Sequence, residues 1–475
     1  MIRRLLGILA LPALIVGLVW LAAVIYFQQS NREIDADGIV LWFVVLPLVA
    51  VSLFLIVKWG WKRLRRPAAI AAAPAATATA PVVAAEGPAL KLQLAILAAE
   101  LHTPAGEAAD ALLPDLQAGK LQPGLSDTLM DQHGLPVRAS CCAGLDTAEA
   151  LEWVTRHLAS HPGQGEGQNP ADAARLLTLL AGPLSRAFDV LAALPPLPAP
   201  QTQPGGSPRN EPPPRRPLVT KIFAPPPWVE LVTSWAREQA AALPGFAFGV
   251  VRADAERPEL QRDALRVADA FCAGSKGAHA HAVLLVIACD THVSEEHVAA
   301  IEARDLLFAA HNQQGLMPGE GAAVIAAMPA DPAHVEPAPL ARLHRVAAGT
   351  RQKPVNAAGR IEADTLGTLT ALSLQHADKQ AADICALVSD CDHRSPWVTE
   401  SAMLIGSSLP DLDPVEHHLA VGKALGHLGQ AQSAITLALA AAHVQAETRP
   451  VLLACLADAQ ARSVATLSPW QASAT

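Results

Sequence analysis

The chain has 475 residues, 51% of them hydrophobic, with a mean hydropathy of +0.26; it exceeds one ordinary domain, and disorder throughout is excluded. Seven Cys without regular spacing, including the adjacent Cys141 and Cys142, exclude a disulfide framework or a zinc site and suit a reducing compartment. A formal charge of −9 offers no basic surface for phosphate and excludes a nucleic-acid partner.

Residues 5–27 carry no charged side chain, nor do residues 38–57, and each run is long enough to cross a hydrocarbon core of roughly 30 Å. Arg3 and Arg4 precede the first run, while Lys58, Lys62, Arg63, Arg65 and Arg66 follow the second. The positive-inside rule therefore predicts a transmembrane hairpin over residues 1–66 with both termini cytoplasmic. A signal peptide is the competing reading of the first run, but that run is long, no A-x-A site follows it, and a second span with a basic stop comes next.

Residues 67–88, rich in Pro and Ala, predict a semi-extended tether. The first 66 residues hold eight Lys/Arg and three Asp/Glu, so the remainder carries 27 against 41, a net of −14. Beyond the tether, short apolar runs alternate with helical patterns, which predicts an α/β body over residues 89–475. Strands are expected near residues 92–97, 136–141, 246–251, 283–289, 322–327, 384–388, 451–455 and 463–467. Helices are expected near 107–118, 146–160, 172–193, 228–242, 259–273, 294–303, 363–376 and 430–444. Prolines crowd residues 195–227, which predicts a long loop or a boundary between halves.

Three stretches carry chemistry or tight geometry. Thr103-Pro-Ala-Gly106 follows an apolar run and precedes a helix, as a strand-to-helix turn would. A second apolar run, Ala282 to Cys289, ends at Asp290, and Pro318-Gly-Glu-Gly-Ala-Ala323 opens the next strand. There Gly319 and Gly321 permit close backbone approach, and Glu320 in apolar surroundings needs hydrogen-bonding partners. The third stretch, Gly422-Lys-Ala-Leu-Gly-His-Leu-Gly429, opens the last long helix. No GxxxxGK[ST], strict GxGxxG, GxSxG or HExxH occurs, so nucleotide binding, serine hydrolysis and zincin chemistry have no motif here.

In this order the three stretches resemble the thiolase-like fold, in particular its β-ketoacyl synthase branch. The resemblance implies a layered α-β-α-β-α body. It also makes His427, Lys423 and Glu320 vestiges of an active site, with His427 the position where acid/base chemistry would carry over. A synthase further needs a thiolate at a helix N-terminus and two proton-handling groups. No Cys-Ser-Ser or comparable elbow lies between Asp146 and Val251, and Cys272 falls inside a helical pattern. Where the family has its first His loop this chain reads Ser389-Asp-Cys-Asp-His-Arg394. Asp390, Cys391, Asp392 and His393 could share a metal ion, but four consecutive residues need partners from elsewhere, and a turn before a helix explains them. His279, His281, His417 and His418 read as solvated loop histidines.

Hairpin, tether and degenerate body together resemble a membrane-anchored proteobacterial family that accompanies type VI secretion lipase effectors. That resemblance implies a non-catalytic accessory or adaptor at the bacterial inner membrane. Its partner would be an effector such as a lipase, together with the secretion spike, and no cofactor or metal is expected. The rival reading is an acyl-thioester-processing condensing enzyme or decarboxylase. A carrier of acyl chains is a third, and homodimerisation is left open.

Overall fold

A computed structural model describes Trp20 and residues 91–165, 167–197, 214–251, 263–274, 281–330 and 338–470. The chain divides into two units, Met1–Ala78 and Thr79–Thr475. The expected membrane hairpin and tether lie outside the described residues, Trp20 apart. Among the described residues no helix is long and apolar enough to cross a membrane.

The second unit begins with β1 (Leu94–His102), α1 (Ala109–Gln117), a hairpin of β2 (Gly124–Met130) and β3 (Pro136–Ala139), and the helices α2 (Ala148–Ser160) and α3 (Pro170–Ala192). Next come β4 (Arg216–Phe223), α4 (Val229–Gln239), β5 (Phe246–Val250), α5 (Ala264–Gly274), β6 (Val283–Thr291), α6 (Glu295–Glu302) and β7 (Glu320–Pro329). The chain continues through β8 (Ala341–Leu343), β9 (Ala347–Thr350), α7 (Asp364–Ala377), β10 (Leu387–Ser389), α8 (Ser395–Ser408) and β11 (His418–Ala420). It closes with α9 (Val421–Leu425), α10 (Gln432–Glu447), β12 (Val451–Cys455) and β13 (Ala461–Ser468).

Among the described residues, ten strands follow the order β11-β10-β12-β13-β8-β1-β7-β6-β4-β5, and β9 adds an eleventh beside β13. The order contains a repeat. Setting aside the β2–β3 hairpin, β5-β4-β6-β7-β1 is the third, second, fourth, fifth and first strand of one half. Setting aside β9, β11-β10-β12-β13-β8 has the same order in the other half. The pairing senses repeat too. β4 runs parallel to β5 and β6, with β7 antiparallel to β6 and to β1. Likewise β10 runs parallel to β11 and β12, with β13 antiparallel to β12 and β8. The halves meet where β1 pairs with β8. This duplication in space has no counterpart in sequence repeats.

Burial explains the sequence pattern. β6 (VLLVIACDT) is buried at all nine positions because helices cover both of its faces, so its run is continuous rather than alternating. One core holds α1, α5 and α10 against inner strand faces, while a second packs α3 and α4 on the first half. A third packs α7 and α8 on the second half, giving helix, sheet, helix, sheet and helix in succession. The middle layer is tightest at α10, where every residue from Gln432 to Val444 is buried.

One expectation is corrected. Residues 216–223, assigned from proline content to the loop 195–227, form β4 between β5 and β6. Pro217 sits at the second position of the strand, where a missing donor is tolerated.

An added side chain on α10 has nowhere to go. Ala438→Leu is expected to destabilise the fold by about 2 kcal/mol through overpacking, read as a lower urea midpoint with an unchanged m-value.

Candidate active site

Two helices of the middle layer, α5 and α10, begin beside each other. The Ala264 amide donates to Ser433 Oγ at 3.0 Å, tying the first turn of one to the first turn of the other. In front of them lie the C-terminal ends of β10 and β12, so a cavity of about 200 Å³ forms between two helix N-termini and two strand ends. Its polar walls include Asp263, Asp390, Gln432, Ser433 and Asp458, with Cys455 among them. Helix N-termini present unpaired N–H groups and a positive dipole end, which favour an oxyanion in such a space.

Asp390 follows β10 directly and is 3% exposed. Its Oδ1 accepts from the Leu456 and Ala457 amides, which fixes the loop after β12. Burial outweighs these hydrogen bonds and pushes its carboxyl up to about 7. That value suits a group that gives or takes a proton at neutral pH. On the opposite wall, Asp263 Oδ2 accepts from Ser463 Oγ at 2.8 Å and pairs with Arg266 Nε at 3.3 Å. Cys455 is fully enclosed, and burial raises its thiol well above the ordinary range.

The turn carrying Gln430 is held from behind. Asp290, at the end of β6, accepts from the Gln430 amide at 2.7 Å. Gly429 has φ +50, and a Cβ there would collide with Asp290 Oδ2 and His292 Nε2. Glycine is therefore required both for the left-handed backbone and for the close approach.

Glu320, Lys423 and His427 fall outside the described lining of this cavity. Glu320 is fully buried and has the partners its setting demands. Arg175 grips it with Nε at 2.5 Å and Nη2 at 2.6 Å, the Cys142 amide donates at 2.6 Å and Thr291 Oγ1 at 3.1 Å. This cluster braces α3 against the β6–β7 pair. Gly319 and His427 lie side by side, since the Gly319 amide donates to the His427 carbonyl. The His427 ring stacks on His292 at 4.8 Å, and burial lowers it to about 3, so it is neutral at physiological pH. Lys423 is on α9 with its side chain exposed.

The run 390–393 diverges. Cys391 packs toward Ser401, Asp392 pairs with Arg394 at 2.6 Å, and His393 meets the edge of Phe308 at 5.2 Å. No group of three metal-ligating side chains forms among the described residues. His418 is not a solvated loop residue: it lies in β11, and its Nε2 meets Ser389 Oγ at 2.7 Å. Sequence reasoning missed Asp263, Arg175 and Gln432. Only Asp390 had a local signal, an acid closing a short apolar run.

No protein-family model matches the chain, and no curated protein matches it. Among solved structures it is similar to the ishigamide ketosynthase/chain length factor, at 14% identity and a TM-score of 0.49, over 80% of this chain and all of that one. It is similar over the same shares to a β-ketoacyl synthase from Burkholderia phymatum, at 12% identity and a TM-score of 0.49. Residue roles therefore have to be read from this chain's own geometry.

Two measurements test the site. An aspartate raised from 3.8 to about 7 holds a proton in the folded state that the unfolded state releases, so its contribution to stability falls as pH rises from about 4 to about 7. Asp390→Asn keeps the acceptor and removes this penalty. Its stability relative to the parent should therefore climb across that window, by about 4 kcal/mol at pH 8. Taking the difference cancels His427, whose lowered value acts in the opposite sense between about 6.5 and 3. Glu320→Ala leaves Arg175 uncompensated and should cost about 3 kcal/mol, whereas pairing Glu320→Leu with Arg175→Met should recover most of it in urea unfolding.

Proposed function

We propose that the chain is a thiolase-like protein that holds a small acyl or carbonyl compound without capturing it covalently. It would act as a membrane-tethered accessory to a partner protein, with a secreted effector the partner the sequence resemblance implies. One observation carries the non-catalytic part: the helix N-termini that open on the cavity present Asp263 and Ser433, neither of which is an activated nucleophile. Asp263 is engaged by Arg266 and Ser463. Ser433 Oγ accepts the Ala264 amide, and no imidazole is among the described lining residues. Residues 252–262, which lead into α5, contain no Cys, Ser or Thr. The fold part is supported by the duplicated strand order together with the three sequence stretches.

Asp390 favours a second reading, acid–base turnover of an acyl thioester in the manner of a decarboxylase. A carboxyl near 7 beside two helix N-termini is the arrangement such a step would use.

Incubation with acyl and malonyl thioesters separates the two. The first reading expects an unchanged intact mass and no carbon dioxide release. Release that disappears in Asp390→Asn would establish the second reading, and an acyl adduct on a Cys would overturn the first. Purification of the full chain in mild detergent should recover a stoichiometric protein partner; recovery of none retires the accessory role. A reporter fused after Thr475 should behave as cytoplasmic.

A further inference from the structure

Lys221 is a charged residue in the interior of the sheet. It lies on β4, in register with Val286 of β6, and is 7% exposed. Among the described residues it has no carboxylate within ion-pair distance and no hydrogen-bond acceptor; its Nζ stands over the Phe223 ring, 5.7 Å from the centroid. Burial alone accounts for its lowered basicity. Its Nζ keeps contact with solvent through the cavity it lines, and a part-desolvated ammonium held so, without a counter-ion, attracts an anion.

The side chain lines a cavity of about 510 Å³ at the C-terminal ends of β4 and β5. Ile222, Phe223, Val229 and Val250 give it apolar walls, while the exposed Glu230 and Arg237 add one charge of each sign at its edge. Gln430 borders both this space and the cavity of Asp390, so the two adjoin.

We propose that this cavity binds a small monocarboxylate, with Lys221 pairing the carboxylate and the apolar walls receiving its short hydrocarbon body. Arg237 offsets Glu230, so the apolar walls, which inorganic phosphate cannot use, are what set a monocarboxylate above it. A charge-assisted hydrogen bond in a half-apolar space provides the affinity. The assignment is independent of whether the Asp390 cavity turns anything over.

The test is isothermal titration of the full chain in neutral detergent with butyrate and, separately, with inorganic phosphate. Butyrate should bind saturably at one site and more tightly than phosphate. Lys221→Met should weaken it about tenfold or more, Lys221→Arg should retain it, and exposed Lys120→Met should leave it unchanged. Lys221→Gln is read in parallel, so that misfolding of one neutral variant leaves the comparison intact. Absence of saturable butyrate binding, equal affinity in the neutral Lys221 variants, or tighter binding of phosphate would each overturn the assignment.

Discussion

A helix with no face for water sets the terms for the rest of this structure. From Gln432 to Val444, α10 is enclosed between the two halves of the sheet. Such a helix must be narrow and largely nonpolar, and Ala-rich sequence meets both conditions while favouring helix intrinsically. Its cost falls at the N-terminus, where unpaired amides would be buried with no solvent to satisfy them. The polar side chains around that end are first of all an answer to this problem.

Several of them have that structural duty and little freedom for another. Asp290 takes the Gln430 amide, Gln432 Oε1 takes the Leu428 amide, and Gln432 Nε2 donates to the Asp390 carbonyl. Glu320, one loop away, is saturated by Arg175, Thr291 and Cys142. Asp390 is the exception in kind. Its Oδ1 serves the backbone, yet the carboxyl as a whole sits near the pH at which it changes charge. A purely structural acceptor at this place could be an amide. An ionisable group retained there costs stability above pH 7, and the expense is intelligible where a proton or a ligand dipole has to be met.

The sequence made the layered α/β body legible because its strands are long, continuous and apolar where both faces are covered, as in β6 and β7. It obscured β4, whose flanking prolines read as loop, and also β8, β9 and β11, which at three or four residues carry no period. Glu320 was legible as a buried acid in need of partners, but Arg175 was not, since an arginine on an amphipathic helix looks like any solvated one. The cavity was harder still. Asp263, Asp390 and Ser433 come from segments up to 170 residues apart, and only the fold brings them to one wall.

Lys221 marks the same limit from the other side. Within Arg216-Pro-Leu-Val-Thr-Lys-Ile-Phe223 it reads as an ordinary polar residue in a loop. Once β4 is placed between β5 and β6, the side chain reaches solvent only through the cavity at the strand ends, and the charge becomes a question about what stands opposite it. A cation on the wall of one cavity beside an ionisable carboxyl in the next gives the two adjoining cavities different preferences. The Lys221 cavity is the one proposed for an anion, whereas in the Asp390 cavity the pull of the helix N-termini on an oxyanion is opposed, above pH 7, by the Asp390 carboxylate. Gln430, its amide held by Asp290, is the wall that the two cavities share.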